Sequence, residues 1–403
     1  MSVGPFRGSA RPTLGVELEF QLVDAETLDL VAAADRVLAA VPAAMRESVK
    51  PEFYPCCVEI NTEVCQDVES VGRDLAAKLA TVTELAARHG ARLAWGGTHP
   101  FAHWLEQPIT PDPRYLDLAE LLRETLCRQL TFGLHVHVGV EDGDAAVRAC
   151  DGLVEHLPAL LALSANSPFW CGRPTGLHSH RIEVMGASPT GGLPPHLGGW
   201  NAYVSMAERL AAAGFIETTK ELWWDVRPSE RHGTVEVRIC DMPPDLPSVL
   251  GLTALIQCLV DDLARPGVGG PTPPDQCGQM MVRQNRWRAA RYGLGAPLVD
   301  LRTGRPSPAS DVLKGMVDRL SGTAEVLGCA DQLHMVRKMA EGPGGADLQI
   351  AHFERTGDLK AVARFQAGDR DAERQVHPVA ASHGGDALGG ELAGIGSGIE
   401  TTT

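Results

Sequence analysis

The chain has 403 residues, of which 44% are hydrophobic, and a formal net charge of −15. This length allows one large domain or two average ones, and the hydrophobic fraction is sufficient for a packed core. The acidity argues against nonspecific nucleic-acid binding, which needs a basic surface. No apolar run reaches the roughly 18–20 residues that span a membrane. Residues 1–11 lack the apolar segment of a secretory signal.

The ten cysteines are spread over the chain, and none forms a C-x-x-C pair. This spacing disfavours a zinc ribbon. Several of them, such as Cys150, Cys240 and Cys258, lie within apolar patterns, which predicts reduced and mostly buried thiols. We therefore expect a cytoplasmic protein that binds neither membranes nor nucleic acid.

The predicted elements mix strands and helices without a regular β–α–β alternation. Strand-like patterns occur at 13–24, 57–61, 92–97, 134–138 and 234–239. Helical patterns occur at 33–47, 68–89, 115–130, 144–164, 205–214, 247–264, 281–292, 310–342 and 358–376. This order favours an α+β fold over a doubly wound sheet.

Three segments have loop-like composition. Residues 171–200 are rich in Gly and Pro and carry histidines and arginines, which is typical of long functional loops. Residues 265–278 are a Pro/Gly linker. Residues 378–403 are rich in Gly, Ala, Ser and Thr and are predicted to be a disordered tail. We expect residues 1–377 to form a single domain.

Four of the predicted strands carry unusual polar faces. Side chains alternate along a strand, so residues two apart share one face. One face of each strand is apolar, and the other holds a pair of polar residues: Glu17 and Glu19, Glu59 and Asn61, His135 and His137, and Glu236 and Arg238. If the four strands are neighbours, one sheet face gathers these groups. Hard-metal sites are built from such groups.

A polar strand face is more often simply solvated. Such a face normally mixes Lys, Thr, Ser and Glu, whereas these four faces contain no Lys. Adjacent carboxylates also repel each other unless a cation lies between them. The combination favours a site for Mg²⁺ or Mn²⁺ over a solvated surface.

The remaining polar residues leave alternatives open. His135 and His137 form a His-x-His strand, which occurs in zinc hydrolases, but buried structural histidines are also common. Arg238 is either one half of an ion pair with Glu236 or a guanidinium that neutralises phosphate charge. Arg227 follows two tryptophans that are expected to pack in the core, and it is available for anion binding.

Common nucleotide-binding and hydrolase motifs are absent from the sequence. There is no G-x-x-x-x-G-K-[ST], no G-x-G-x-x-G after a strand and no G-x-S-x-G. A nucleotide would have to be held in another way, for instance through magnesium bound to carboxylates. A serine hydrolase has little support.

Seven short segments match, in order, the motifs of one known family. They are 15–20 (GVELEF), 58–62 (VEINT), 133–139 (GLHVHVG), 164–170 (SANSPFW), 223–228 (WWDVRP), 233–238 (GTVEVR) and 285–293 (NRWRAARYG). Together they resemble the glutamate–cysteine ligase type 2 family, also called YbdK-type carboxylate–amine ligases. The resemblance extends from about residue 13 to 340 and does not cover the tail.

The resemblance implies a glutamine-synthetase-like fold, in which a curved, mainly antiparallel sheet forms a funnel with helices outside. It also implies an ATP-dependent ligase that forms a C–N bond. ATP would phosphorylate a carboxylate, by family default the γ-carboxylate of glutamate. An amine, by default cysteine, would attack the acyl phosphate to give an amide, ADP and phosphate. Mg²⁺ or Mn²⁺ would hold the ATP phosphates, and family analogy implies a homodimer.

The resemblance also implies roles for individual residues. The implied metal ligands are Glu17, Glu19, Glu59, Glu236 and His137. The implied catalytic residues are Arg238 and His135, with His135 as a further ligand or phosphate contact. The implied substrate-binding residues are Arg173, Arg181 and Arg227. Relatives often carry a third glutamate where this chain has Leu18, but Leu18 belongs to the apolar face, so the metal face is retained.

Two other functions remain open at this point. A metal-dependent hydrolase built around His135 and His137 would bind zinc tightly and act without ATP. A catalytically inactive relative would bind nucleotide without releasing ADP. The second alternative is disfavoured because every polar position assigned to the metal face is still a competent ligand.

Overall fold

The computed structural model describes residues 3–267 and 275–369. The tail predicted at 378–403 lies outside the described residues, as do residues 268–274 of the predicted linker. A single domain over residues 1–377 therefore stays a prediction.

The described residues contain eleven strands and fourteen α-helices. The strands are β1 (Leu14–Asp24), β2 (Val49–Pro51), β3 (Cys57–Asn61), β4 (Ala91–Ala94), β5 (Gly133–Gly139), β6 (Phe169–Trp170), β7 (Arg173–Pro174), β8 (Val226–Ser229), β9 (Thr234–Asp241), β10 (Pro297–Val299) and β11 (Pro306–Pro308). The helices are α1 (Ala34–Ala40), α2 (Val68–Arg88), α3 (Pro113–Leu122), α4 (Glu124–Cys127), α5 (Gly143–Leu153), α6 (Leu157–Ser164), α7 (Arg181–Gly186), α8 (Trp200–Ala212), α9 (Leu246–Ala264), α10 (Gln276–Tyr292), α11 (Ala309–Leu327), α12 (Ala330–Glu341), α13 (Gly345–Thr356) and α14 (Leu359–Gln366).

Seven strands form one sheet, in which β4 pairs with β1 and the other strands follow the order β2-β3-β1-β5-β9-β8. All of these pairings are antiparallel. The four strands with unusual polar faces, β3, β1, β5 and β9, are therefore consecutive neighbours. The predicted α+β fold with a mainly antiparallel sheet is confirmed.

The apolar face of the sheet packs against helices α2, α5 and α9. Leu18, Val58, Val136 and Val237 on this face are fully buried in the main hydrophobic core. Helix α9 is long and apolar enough to span a membrane, but 67% of its most apolar 18-residue stretch is buried inside the protein. A core helix passes the same test of length and composition, and this burial identifies α9 as one.

Three predicted helical segments are each divided in the structure. Residues 115–130 contain α3 and α4, residues 310–342 contain α11 and α12, and residues 144–164 contain α5 and α6. The break between α5 and α6 covers residues 154–156. Pro158 lies in the first turn of α6. Proline has no backbone N–H and its ring clashes with the preceding helical turn, so it fits only where a new helix begins.

His99 makes the fold sensitive to acid. Its Nε2 lies 2.9 Å from the Leu28 carbonyl oxygen, and its Nδ1 accepts a hydrogen bond from the Ala102 N–H at 2.9 Å. Burial lowers the pKa of His99 from 6.5 to about 4. On acidification, His99 in the unfolded chain therefore binds a proton near pH 6.5, whereas His99 in the folded chain binds it only near pH 4. We expect stability to fall by roughly 3 kcal/mol between these pH values from this residue.

Urea unfolding from pH 7.5 to 4.5 measures this effect. Because asparagine has no titrating group, His99→Asn should be less stable at pH 7.5 but should lose less on acidification. Stability curves that run parallel for the two proteins would contradict the assignment.

Candidate active site

A cavity of about 580 Å³ opens on the polar face of the sheet. Its floor is formed by polar side chains of β1, β3, β5 and β9. Its walls come from parts of the segments 50–53, 114–131 and 218–232. The sheet register therefore decides which side chains meet on the floor.

The first acidic group consists of Glu17, His135 and Glu236, and it joins three strands. Each residue offers a ligand atom, and these atoms lie within 4.8 Å of one another. In the register, Glu17 lies opposite His135, and His137 lies opposite Glu236. His135 Nδ1 is 3.1 Å from a Glu17 carboxylate oxygen.

The second acidic group consists of Glu19, Glu52 and Glu59, whose ligand atoms also lie within 4.8 Å of one another. Glu19 lies opposite Glu59 in the register of β1 and β3. Glu52 follows β2 directly and was missed by the sequence analysis. The pairing of β2 with β3 would have revealed it. Lys50 of β2 lies opposite Glu59, and alternation along the chain places Glu52 on the same face of the sheet as Lys50 and Glu59. Strand β2 itself is too short to be recognised.

The second group concentrates negative charge, since Glu59 is buried and Glu19 and Glu52 are half-buried. Burial, together with the charges of Glu59 and Glu19, raises the pKa of Glu52 well above its usual range. Burial and the charge of Glu17 also raise the pKa of Glu59. A cation among these carboxylates would relieve both effects.

The first group is held in its ionised form by its neighbours. Burial opposes the ionisation of Glu236, but Arg227 and Arg238 outweigh it and hold the pKa of this carboxyl well below its usual range. Burial likewise opposes the ionisation of Glu17. Hydrogen bonds from His135 and His137 outweigh it, and the pKa of Glu17 is also well below its usual range.

The donors of both groups fit hard divalent cations. Carboxylates with one imidazole are ligands that Mg²⁺ and Mn²⁺ accept. The Nε2 atom of His135 is buried and has no hydrogen-bond partner among the residues described. An unpaired buried ring nitrogen beside ionised carboxylates is the arrangement that a bound ion would complete.

His137 lies beside the first group rather than within it. Its Nδ1 is 2.9 Å from the Thr234 hydroxyl, and its Nε2 is 3.5 Å from a Glu17 oxygen and 3.9 Å from a Glu236 oxygen. Burial lowers the pKa of His137, but the carboxylates of Glu236 and Glu17 outweigh burial and raise it. As a metal ligand, His137 is therefore less well placed than His135.

Two arginines bind Glu236, one from the neighbouring strand β8 and one from β9 itself. Arg227 Nε donates to Glu236 at 2.7 Å, and the same guanidinium donates to the carbonyls of Lys220 and Leu222. Arg238 Nη1 donates to the other Glu236 oxygen. Both arginines line the cavity, so their charge faces any anion that enters it.

The other two predicted substrate arginines differ in position. Arg181 is 1% exposed and lines the cavity, with its guanidinium directed at backbone carbonyls of β9. Arg173, on β7, is exposed and is not among the residues that line the cavity. The structure therefore brings Arg181, but not Arg173, to the cavity.

The mouth of the cavity is basic. Arg114, Lys220 and Arg231 line it. No carboxylate within the described ranges forms an ion pair with these three side chains. The acidic floor and the basic mouth together suit an anionic ligand that binds together with metal ions.

Comparison with known proteins identifies the chain's family. The model of the family described as glutamate-cysteine ligase family 2 matches residues 13–365. The chain belongs to this family. It is an enzyme of the glutamate–cysteine ligase type, and all seven segments that carried the resemblance lie within the matched region.

Relatives and solved structures agree with this family assignment. A protein named for glutamate–cysteine ligase 2 in Rubrobacter xylanophilus is 41% identical over 363 residues, which cover 90% of this chain and 98% of that protein. Its counterpart in Solibacter usitatus is 37% identical over 360 residues, which cover 89% and 93%. The glutamate–cysteine ligase of Francisella tularensis, solved with AMP, superimposes with a TM-score of 0.66 at 12% identity, over 90% and 89% of the two chains. At this identity the last comparison shows the fold alone.

Proposed function

We propose that this family member is an ATP-dependent carboxylate–amine ligase. It would transfer the γ-phosphoryl group of ATP to a carboxylate, of which the glutamate γ-carboxylate is the first candidate. An amine, with cysteine as the first candidate, would then attack the acyl carbon and release phosphate. The observation that carries this proposal is the meeting of two acidic groups and two arginines in one cavity. Phosphoryl transfer depends on neutralisation of charge in this way.

Divalent cations fit the proposal. The first group would hold one ion through Glu17, His135 and Glu236, and the second would hold another through Glu19, Glu52 and Glu59. When bound, such ions supply Lewis-acid charge stabilisation to phosphate oxygens and orient the phosphates. Mg²⁺, with Mn²⁺ as the alternative, suits these oxygen-rich donor sets.

The side chains of the protein supply the remaining charge. Arg238 is anchored to Glu236 at its Nη1 atom, while its Nη2 forms no hydrogen bond with another described residue, and the side chain lines the cavity. This leaves donor capacity for an incoming oxyanion. Charged hydrogen bonds of this kind are roughly twice as strong as neutral ones. Arg227 has its Nε and Nη1 committed to Glu236 and to carbonyls, so its main effect is to orient Glu236.

The relatives support the substrates only as first candidates. The names of the relatives refer to glutamate and cysteine, and the Francisella tularensis enzyme was solved with AMP. Action in the cytoplasm and assembly as a homodimer belong to the same proposal and rest on the family resemblance.

ADP release tests the proposal directly. Purified protein with ATP and Mg²⁺ should release ADP with one acid from a panel of amino acids, and hydroxylamine should trap that acid as its hydroxamate. A panel of amines would then identify the product. Hydrolysis of amides with zinc and without ATP would favour the hydrolase built around His135 and His137. Nucleotide binding without ADP from any acid would favour the inactive relative.

A further inference from the structure

Strand β9 contains a bulge at the residue proposed to contact the transferring phosphoryl group. In the register with β5, Leu134 lies opposite Cys240 and Val136 lies opposite Val237. One residue of β5, His135, therefore faces two residues of β9, Arg238 and Ile239. A bulge leaves part of the ladder unpaired and redirects a side chain.

Arg181 supplies partners for the bulge carbonyls. Its Nη1 lies 3.4 Å from the carbonyl oxygens of both Arg238 and Ile239, and its Nη2 lies 3.3 Å from that of Arg238. The side chain is 1% exposed. Buried carbonyls that lose a ladder partner need another donor, and a fixed guanidinium fork can serve two adjacent carbonyls.

Gly133 provides the space for this guanidinium. A Cβ atom at position 133 would collide with the Nη2 atom of Arg181. The backbone N–H of Gly133 donates to Glu19 at 2.6 Å. The same residue thus admits Arg181 and contacts the second acidic group.

A second arginine, Arg286, is largely buried and supports the bulge through Asp225. The backbone N–H of Arg238 donates to the Asp225 carbonyl at 2.8 Å. The Asp225 carboxylate accepts a 2.7 Å hydrogen bond from Arg286 Nε, and Arg286 Nη2 is 3.4 Å from the Ile182 carbonyl of α7. Arg286 therefore links the partner of the Arg238 N–H to the helix that carries Arg181.

We propose that Arg181 and Arg286 are positioning residues that fix the β9 bulge and thereby aim the Arg238 side chain into the cavity. Both backbone groups of Arg238 are held, its carbonyl by Arg181 and its N–H by Asp225, which Arg286 holds in turn. Arg181 thus acts through Arg238, and its implied role as a substrate-binding residue stays a prediction. The proposal rests on the proposed function only in the test that measures activity; the test by hydrogen exchange does not depend on it.

A double-mutant cycle tests the connection. Because a misplacement of about 1 Å can cost roughly a hundredfold in rate, Arg181→Met should lower kcat about 10–100-fold. The KM for ATP should change by less than about threefold. In an Arg238→Met background the same change should cost less than about threefold, because the group that it positions is already gone. Arg181→Lys, which keeps one donor, should recover part of the rate.

Hydrogen exchange gives a readout that does not need activity. The Arg238 amide should exchange faster in Arg181→Met and in Arg286→Gln, while amides of β1 and β3 should be unchanged. Arg148→Met is the matched control, since Arg148 also donates to a carbonyl, that of Ala264, but does not line the cavity. Arg286→Gln and Arg181→Lys carry the test if Arg181→Met does not fold.

The outcomes separate the two proposals. A wild-type protein without ADP release would defeat the proposed function, while the exchange of the Arg238 amide would still decide the positioning role. In an active enzyme, the positioning role would be overturned by two results together. The losses in kcat from Arg181→Met and Arg238→Met would be fully additive, and hydrogen exchange of the Arg238 amide would be unchanged.

Discussion

Glu236→Gln should lower ADP release by roughly a thousandfold, a loss of about 4 kcal/mol of transition-state stabilisation. Glu236 is the only carboxylate in the described part of the chain that is shared by the first acidic group and by both Arg227 and Arg238. Loss of its charge would weaken the proposed ion site and release Arg238, the arginine proposed to contact the phosphate. The measurement is the steady-state rate of ADP formation at saturating ATP and Mg²⁺.

The same substitution should also lower stability, but the chain should remain folded. Glutamine keeps an acceptor for the arginines but leaves two largely buried cations without a counter-charge. Removal of one partner of a buried pair costs up to about 3–5 kcal/mol. Asp74→Asn is the control, because Asp74 pairs at 2.9 Å with the buried Lys78 ammonium and does not line the cavity. It should lose stability and keep its activity. An active Glu236→Gln protein would contradict the metal assignment.

Glu52→Gln should have opposite effects on stability with and without divalent ions. Without ions, Glu52 is a half-buried carboxylate beside two others, and burial together with their charges raises its pKa, so removal of its charge should make the protein more stable than wild type. With Mg²⁺ the order should reverse. An ion that binds only the folded state stabilises it by about 2.7 kcal/mol at a hundred times its dissociation constant, and the variant would lose much of this gain.

Thermal unfolding in EDTA and in excess Mg²⁺ measures both effects. ADP release by Glu52→Gln should fall by roughly a hundredfold, since a carboxylate ligand of a catalytic ion is lost. Glu63→Gln is the control, because Glu63 is exposed and lies outside both groups. An equal Mg²⁺-induced shift in Glu52→Gln and wild type would show that Glu52 does not bind the ion.

The sequence predicted the floor of the cavity because the signal there is local. Alternation on β1, β3, β5 and β9 places Glu17, Glu19, Glu59 and Glu236 on one face, whatever the rest of the chain does. The α+β class followed from the irregular order of the same elements. The adjacency of the strands, which brings the polar faces together, was only a condition of that prediction, and the sheet order meets it.

The sequence could not predict features that depend on distant contacts. His135 and His137 are equivalent by spacing, and only the register places His135 within the first group. Arg173 and Arg181 lie in the same irregular segment, but one is exposed and the other is buried against carbonyls of β9. The bulge that Arg181 serves is a property of pairing between two strands about a hundred residues apart in sequence, so periodicity within either strand cannot show it.

The two acidic groups share strand β1, because Glu17 belongs to the first and Glu19 to the second. Glu17 and Glu19 are one two-residue repeat apart on this strand, about 6–7 Å, and this spacing is fixed by the strand, whereas Glu52 joins the second group from the segment after β2. The cavity walls have no such constraint, since Phe53, Arg114, Leu126 and Lys220 all come from segments between the four central strands. The preference for acid and amine could therefore be changed by substitutions in the walls, provided that Glu52 is kept. The proposed phosphate chemistry would be retained with the sheet and Glu52, so that new substrate pairs would need no new metal ligands.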